Sequence, residues 1–147
     1  MKSELLIPQE MARQIEREGV GAYPNECCGI LFGKDVRENG DEQRFVERIE
    51  KVDNGFEETE RFHRFLITPE TLMKAEKAAA SEGRLVVGFY HSHPDAPARP
   101  SEYDRQHAWP FYSYVIVSIL NREAADTTSW VLDETAGRFE RQEIVET

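Results

Sequence analysis

Cysteine is scarce in this chain. The two present, Cys27 and Cys28, are neighbours. Adjacent cysteines rarely bond to each other, so no disulfide framework is expected; the plain reading is two half-buried residues on a strand, the alternative a redox or extra-ligand role. Lysine is scarce too: five against thirteen arginines, within a chain of 28 acidic residues and net charge −10. That sign argues against binding a nucleic-acid backbone. Acid-rich, lysine-poor composition also raises adaptation to high salt, which melting temperatures across molar salt would test. No apolar run approaches the roughly 18 residues of a membrane span, and Met1–Pro8 lacks the apolar core of a signal peptide. The expectation is therefore a cytoplasmic protein off the membrane. Internal repeats and low-complexity stretches are missing as well, so residues 1–147 are expected to form a single domain. A hydrophobic fraction of 39% is enough for a core.

The hydrophobic pattern mixes helices and strands without regular alternation. Residues 8–18 read as a helix that Pro8 opens and Gly19 and Gly21 stop. After the turn Tyr23-Pro24-Asn25, residues 26–32 read as a buried strand closed by Gly33. The charged stretch 34–42 reads as a loop with Asn39-Gly40 as a turn signal, and 44–52 as a strand of ambiguous faces. Residues 54–61, which include Glu57-Glu58-Thr59-Glu60, read as an exposed acidic loop, and 62–67 as a strand with His63 at the surface. Thr68 and Pro69 open a helix that runs to about Ala80. Leu85 to His91 is the strongest buried-strand signal. A proline-rich loop, a short helix at 101–109, a buried strand at 112–120 and a hairpin of 127–133 with 138–144 complete the chain. The fold class is α/β or α+β, with a mixed β-sheet flanked by helices.

The chemistry concentrates in His91-Ser92-His93-Pro94 and Pro100-Ser101-Glu102-Tyr103-Asp104. Period two puts both imidazoles on one side of a strand end. Two imidazoles and a carboxylate supply three ligands and leave a fourth position for water, the pattern of a catalytic zinc. The rival reading is structural: Ser101-x-x-Asp104 also fits a capping box that only starts a helix. Spacing alone leaves the two open.

The multi-part motif resembles that of the JAMM (MPN+) metallopeptidases. Their pattern is an upstream Glu, then His-x-His, ten residues and Asp, with Ser three before the Asp. His91, His93, Ser101 and Asp104 match it, and Pro24-Asn25-Glu26-Cys27-Cys28-Gly29 supplies the upstream Glu26 in a Pro-x-Glu-x-x-Gly context. The resemblance implies an MPN/JAMM-type, cytidine-deaminase-like domain. It implies one catalytic Zn2+ on His91, His93 and Asp104, with Glu26 as general base and Ser101 donating to the oxyanion. The hydroxyl of Ser101 is wanted by both the cap and the catalytic role, and the resemblance favours catalysis. Ser92 faces away from its neighbours and reads as structural or supporting. His107 reads as a surface residue, and Trp109 and Trp130 as core or partner-facing.

JAMM proteins cleave peptide or isopeptide bonds after the C-terminal glycines of ubiquitin-like proteins. This chain is similar to the minimal prokaryotic members, several of which process ubiquitin-like sulfur-carrier proteins. The resemblance thus implies a sulfur-carrier substrate, and leaves a homodimer open. Two other readings stand beside it: a non-catalytic MPN scaffold, which would bind no zinc, and a zinc hydrolase of small peptides, which would ignore a ubiquitin-like tail.

Overall fold

The computed structural model describes residues 2–52 and 67–147. Its elements are β1 (Ser3–Ile7), α1 (Gln9–Ala22), β2 (Cys28–Glu38), β3 (Asp41–Val52), α2 (Pro69–Ser81), β4 (Leu85–Pro94), α3 (Glu102–His107), β5 (Ser113–Leu120), β6 (Glu123–Asp133) and β7 (Arg138–Glu146). The strands form a closed barrel in the order β1-β3-β2-β4-β5-β6-β7. β1 closes it, running parallel to both β3 and β7, and the β4–β5 pair is also parallel. The expected mixed sheet is therefore present, but among the described strands it has no free edge.

The two faces of the sheet carry separate apolar clusters. On one, α1 packs Ile15 against Leu5, Leu31, Val87, Val115 and Val117. On the other, Ala75 and Ala79 of α2 meet Ile30, Phe32, Val86 and Phe89. Cys27 belongs to the first cluster and Cys28 to the second. The two side chains thus pack into opposite clusters, and their thiols do not meet. Both are fully buried, deeper than the half-burial expected.

Three local departures from the sequence expectation have physical causes. β1 is short and no strand is expected there; its long-range parallel partners β3 and β7 make it one. α1 runs on through Gly19 to Ala22. A Cβ at Gly19 would lie 3.0 Å from Ile119 and 3.3 Å from Ser92, so this glycine permits close approach to the sheet instead of ending the helix. The charged residues 34–38 and 41–43 are strand, not loop. Asn39 and Gly40 both have positive φ (53° and 82°), the conformation of a tight hairpin turn, and cross-strand pairs such as Arg37–Glu42 at 2.9 Å hold the hairpin. The last hairpin is as expected, with β6 four residues longer at its start. Of the expected strand at 62–67 only Ile67 is described, buried and outside any strand, and the acidic loop at 54–61 and His63 lie outside the described residues. Among the described residues no helix is long and apolar enough to cross a membrane.

A second buried feature has no counterpart in the sequence reading. Arg44 is fully buried, and its guanidinium meets Asp35 (3.4 Å), Glu42 (3.2 Å) and the Ser113 hydroxyl (2.9 Å). Ser113 and Ser129 donate to the Gln142 amide oxygen at 2.7 and 2.8 Å, and the Gln142 amide donates to Ser3 at 3.0 Å. The network ties β1, β2, β3, β5, β6 and β7 together.

Candidate metal centre

β4 ends in His91-Ser92-His93-Pro94, and strand alternation turns both imidazoles to one side. The crossover to β5 carries α3, which brings Asp104 back over them. Three atoms converge: His91 Nε2 and His93 Nε2 are 3.1 Å apart, His93 Nε2 is 3.1 Å from Asp104 Oδ2, and His91 Nε2 is 3.5 Å from the same oxygen. All three residues are buried. Bonds of about 2.0–2.1 Å to a tetrahedral zinc put neighbouring ligand atoms about 3.4 Å apart, so this triangle has the right size.

The tautomers suit a metal. His93 Nδ1 lies 2.9 Å from the Pro97 carbonyl oxygen, which can only accept. Nδ1 therefore carries the proton, and the Nε2 lone pair faces the cluster. Burial is the largest influence on His91 and holds it below the ordinary histidine value, and so neutral. Burial also opposes charge on His93, but the Asp104 carboxylate and the Pro97 carbonyl raise it, with a smaller push from Glu26. At Asp104, burial would raise the carboxyl; hydrogen bonds from the histidines and the Ser101 backbone N–H outweigh it and keep Asp104 far below the usual carboxylate range. An attraction from His91 enters that balance only if His91 is charged. A neutral His93 protonated on Nδ1 has no Nε2–H to donate, so in that state the Ser101 N–H is the donor that stays fixed on Asp104. Imidazole lone pairs around a carboxylate form a donor set that wants a cation.

The loop between ligands is pinned from β5 and β6. Asp95 N–H donates to Ile119 O at 2.8 Å, Ser118 Oγ to Ala96 O at 2.5 Å and Thr128 Oγ1 to Ala98 O at 2.6 Å. This explains how a proline-rich stretch holds its shape without regular structure. Beside it lies a cleft of ≈ 380 Å³ lined by Glu26, His93, Arg99, Ser101, Tyr103 and Asp104 among others. All five residues singled out in the sequence thus come together: His91, His93 and Asp104 as a triangle, Glu26 and Ser101 on the same cleft.

Ser101 does form the capping box. Its Oγ accepts from Asp104 N–H at 3.1 Å, and its N–H donates to Asp104 Oδ2 at 2.8 Å. The two readings of Ser101 do not compete as expected. The cap uses a lone pair of the hydroxyl oxygen, and its proton is left to donate elsewhere. The cap also aims the Asp104 carboxylate. His107 is exposed; its ring stacks on Tyr103 with centroids 4.0 Å apart. Trp109 packs on the α2-side cluster, and Trp130 donates to Thr128 at 2.8 Å. Burial pushes the Cys27 thiol up to about 11, which leaves it protonated and inert at neutral pH. The neighbours that sequence reading missed are Tyr23 and Asp95, joined at 2.7 Å. No local signal connects residues 72 positions apart.

Comparison with known proteins agrees with this geometry. Residues 8–133 match the family model described as prokaryotic homologs of the JAB domain. The chain is 37% identical over 120 residues to a desampylase of Haloferax volcanii, covering 80% of this chain and 79% of the relative. It is 30% identical over 146 residues to a desampylase of Pyrococcus furiosus, covering 98% and 92%. A solution structure of a Salinibacter ruber protein, 37% identical, superposes with a TM-score of 0.69 over 100% of this chain and 92% of that one. With the match spanning both the Glu26 turn and the ligand cluster, the chain belongs to the family of prokaryotic JAB-domain homologues and carries its JAB/MPN fold.

Proposed function

We propose that this protein is a zinc metallopeptidase that hydrolyses the peptide or isopeptide bond after the C-terminal glycines of a ubiquitin-like protein, with a sulfur-carrier protein as its partner. One observation carries the chemistry: two histidine nitrogens and a carboxylate oxygen converge at 3.1–3.5 Å on a cleft that also holds Glu26 and Ser101. The substrate class draws on the relatives named desampylase.

His91 Nε2, His93 Nε2 and Asp104 Oδ2 are the assigned zinc ligands. Bound there, zinc would supply a water of pKa about 7 and would polarise the scissile carbonyl. The Glu26 carboxylate accepts the proton of the attacking water and returns it to the leaving amine. The Ser101 hydroxyl donates to the oxygen that gains charge as the carbonyl is attacked. The His93 Nδ1–H bond to Pro97 keeps the Nε2 of that imidazole turned to His91 and Asp104, where an ion would be held. The partner's tail lies extended in the cleft. Residues 1–147 act as one domain, supported by the way β1 and β7 close the barrel. Reduced, buried cysteines suit a cytoplasmic setting.

The test is incubation with a ubiquitin-like protein whose tail continues past its glycines, followed by mass spectrometry. The expected product ends at the glycines. Glu26→Gln should retain zinc by metal analysis and lose about 10²–10⁴ in turnover. A zinc-loaded, active Glu26→Gln protein overturns the mechanism, and an uncut tail overturns the substrate class.

A further inference from the structure

Glu26 lies between α1 and β2, outside any regular element. A general base needs its carboxylate placed within a fraction of an ångström. Two long-range ties bracket it. On its C-terminal side, Cys27 N–H donates to Ser92 Oγ at 2.8 Å, and Ser92 N–H donates to the Cys27 carbonyl at 3.1 Å. Ser92 is fully buried and stands between the two histidines with its side chain turned away from them. Its hydroxyl thus binds the residue next to Glu26, while its backbone carries His91 and His93. On the N-terminal side, the Tyr23 hydroxyl donates to Asp95 Oδ2 at 2.7 Å, joining the turn before Glu26 to the loop after His93. Asp95 holds a positive φ of 57°, and its own N–H is anchored on Ile119.

The geometry points to Ser92 and Tyr23 as positioning residues that hold the Glu26 segment in fixed register with the His91–His93 strand end. The proposal rests on the reading of Glu26 as the base. Neither residue touches substrate. Ser92 acts from inside the sheet, Tyr23 from the turn before Glu26. The inner tie is the stronger of the two, because it is buried and made of two reciprocal bonds.

The experiment compares Ser92→Ala, Tyr23→Phe and Ser129→Ala for kcat, KM, zinc content and melting temperature. Ser129 is the control: it also loses a buried hydroxyl, but within the Arg44 network remote from Glu26 in the chain. Ser92→Ala should keep zinc and KM and lose about 10- to 100-fold in kcat, Tyr23→Phe should lose about threefold to tenfold, and Ser129→Ala should keep kcat although its melting temperature falls. Ser92→Ala should also add no loss to Glu26→Gln in single-turnover assays, since both act through one carboxylate. A Ser92→Ala protein with parental kcat, an equal kcat loss in Ser129→Ala, or an additive loss with Glu26→Gln overturns the proposal. If Ser92→Ala does not fold, Tyr23→Phe decides alone, and parental kcat there overturns it. Full activity of Glu26→Gln instead overturns the base assignment, a distinct outcome.

Discussion

Two buried polar clusters in this barrel make opposite use of charge. Around Arg44 the cation is part of the chain. Its guanidinium has two carboxylates and a hydroxyl within 3.4 Å, and Ser113, Gln142, Ser129 and Ser3 pass hydrogen bonds onward until donors and acceptors are matched. Phe111 covers it, with the guanidinium carbon 4.5 Å from the ring centre. Around Asp104, among the described residues, the partners at close range are imidazoles that carry no fixed positive charge. Two imidazoles and a carboxylate press lone pairs together at distances suited to a shared ion. The first arrangement is complete and does no chemistry. The second needs something from outside, and that requirement is its function.

Removing the internal cation should have the largest effect on stability. Arg44→Met leaves Asp35 and Glu42 with Arg37 as their remaining cation and breaks the bond to the buried Ser113, and we expect a loss of about 3 kcal/mol in urea unfolding. The folded fraction should keep its zinc and its kcat. A change in kcat would mean that the clusters are coupled, which would break the comparison.

Withholding the external cation should come next. Zinc at about a hundred times its dissociation constant should add about 2.7 kcal/mol to unfolding. A chelator should remove that increment and the activity together, and added zinc should restore both. The increment should vanish in His93→Ala but persist in Arg44→Met. A zinc-independent melting curve would contradict the reading of the triangle.

The smallest stability effect should separate the two duties of Ser101. Ser101→Ala should lose the cap of α3, about 1 kcal/mol, together with the hydroxyl donor. Ser101→Asp keeps a capping acceptor and lacks that donor. Thermal melts should therefore favour Ser101→Asp, while both variants should fall about 10²-fold in kcat. Near-parental turnover in Ser101→Asp would leave Ser101 a cap alone.

Much of the site is legible in the order of its residues. The ligands are close in sequence, so the two-residue period of β4 and one crossover settle their geometry. The Asn39-Gly40 turn is legible for a similar reason, since two residues suffice to make it. What does not show is set by partners far along the chain. β1 is five residues long and is a strand only because β3 and β7 flank it. Gly19 reads as a helix stop, whereas its missing side chain makes room for Ile119, a hundred residues later. The charged arms of the β2–β3 hairpin lack a hydrophobic period, because ion pairs and an existing sheet hold them.

By itself, then, the sequence determined the donor types, their spacing and their grouping, because short-range chain geometry needs nothing else. It also determined the acidic charge and the mixed element pattern. Only the tertiary structure decided that the sheet closes into a barrel, that Arg44 is its internal cation, and that Tyr23 and Ser92 brace the segment holding Glu26. Those facts depend on residues 65 or more positions apart becoming neighbours, and no local pattern encodes such distances.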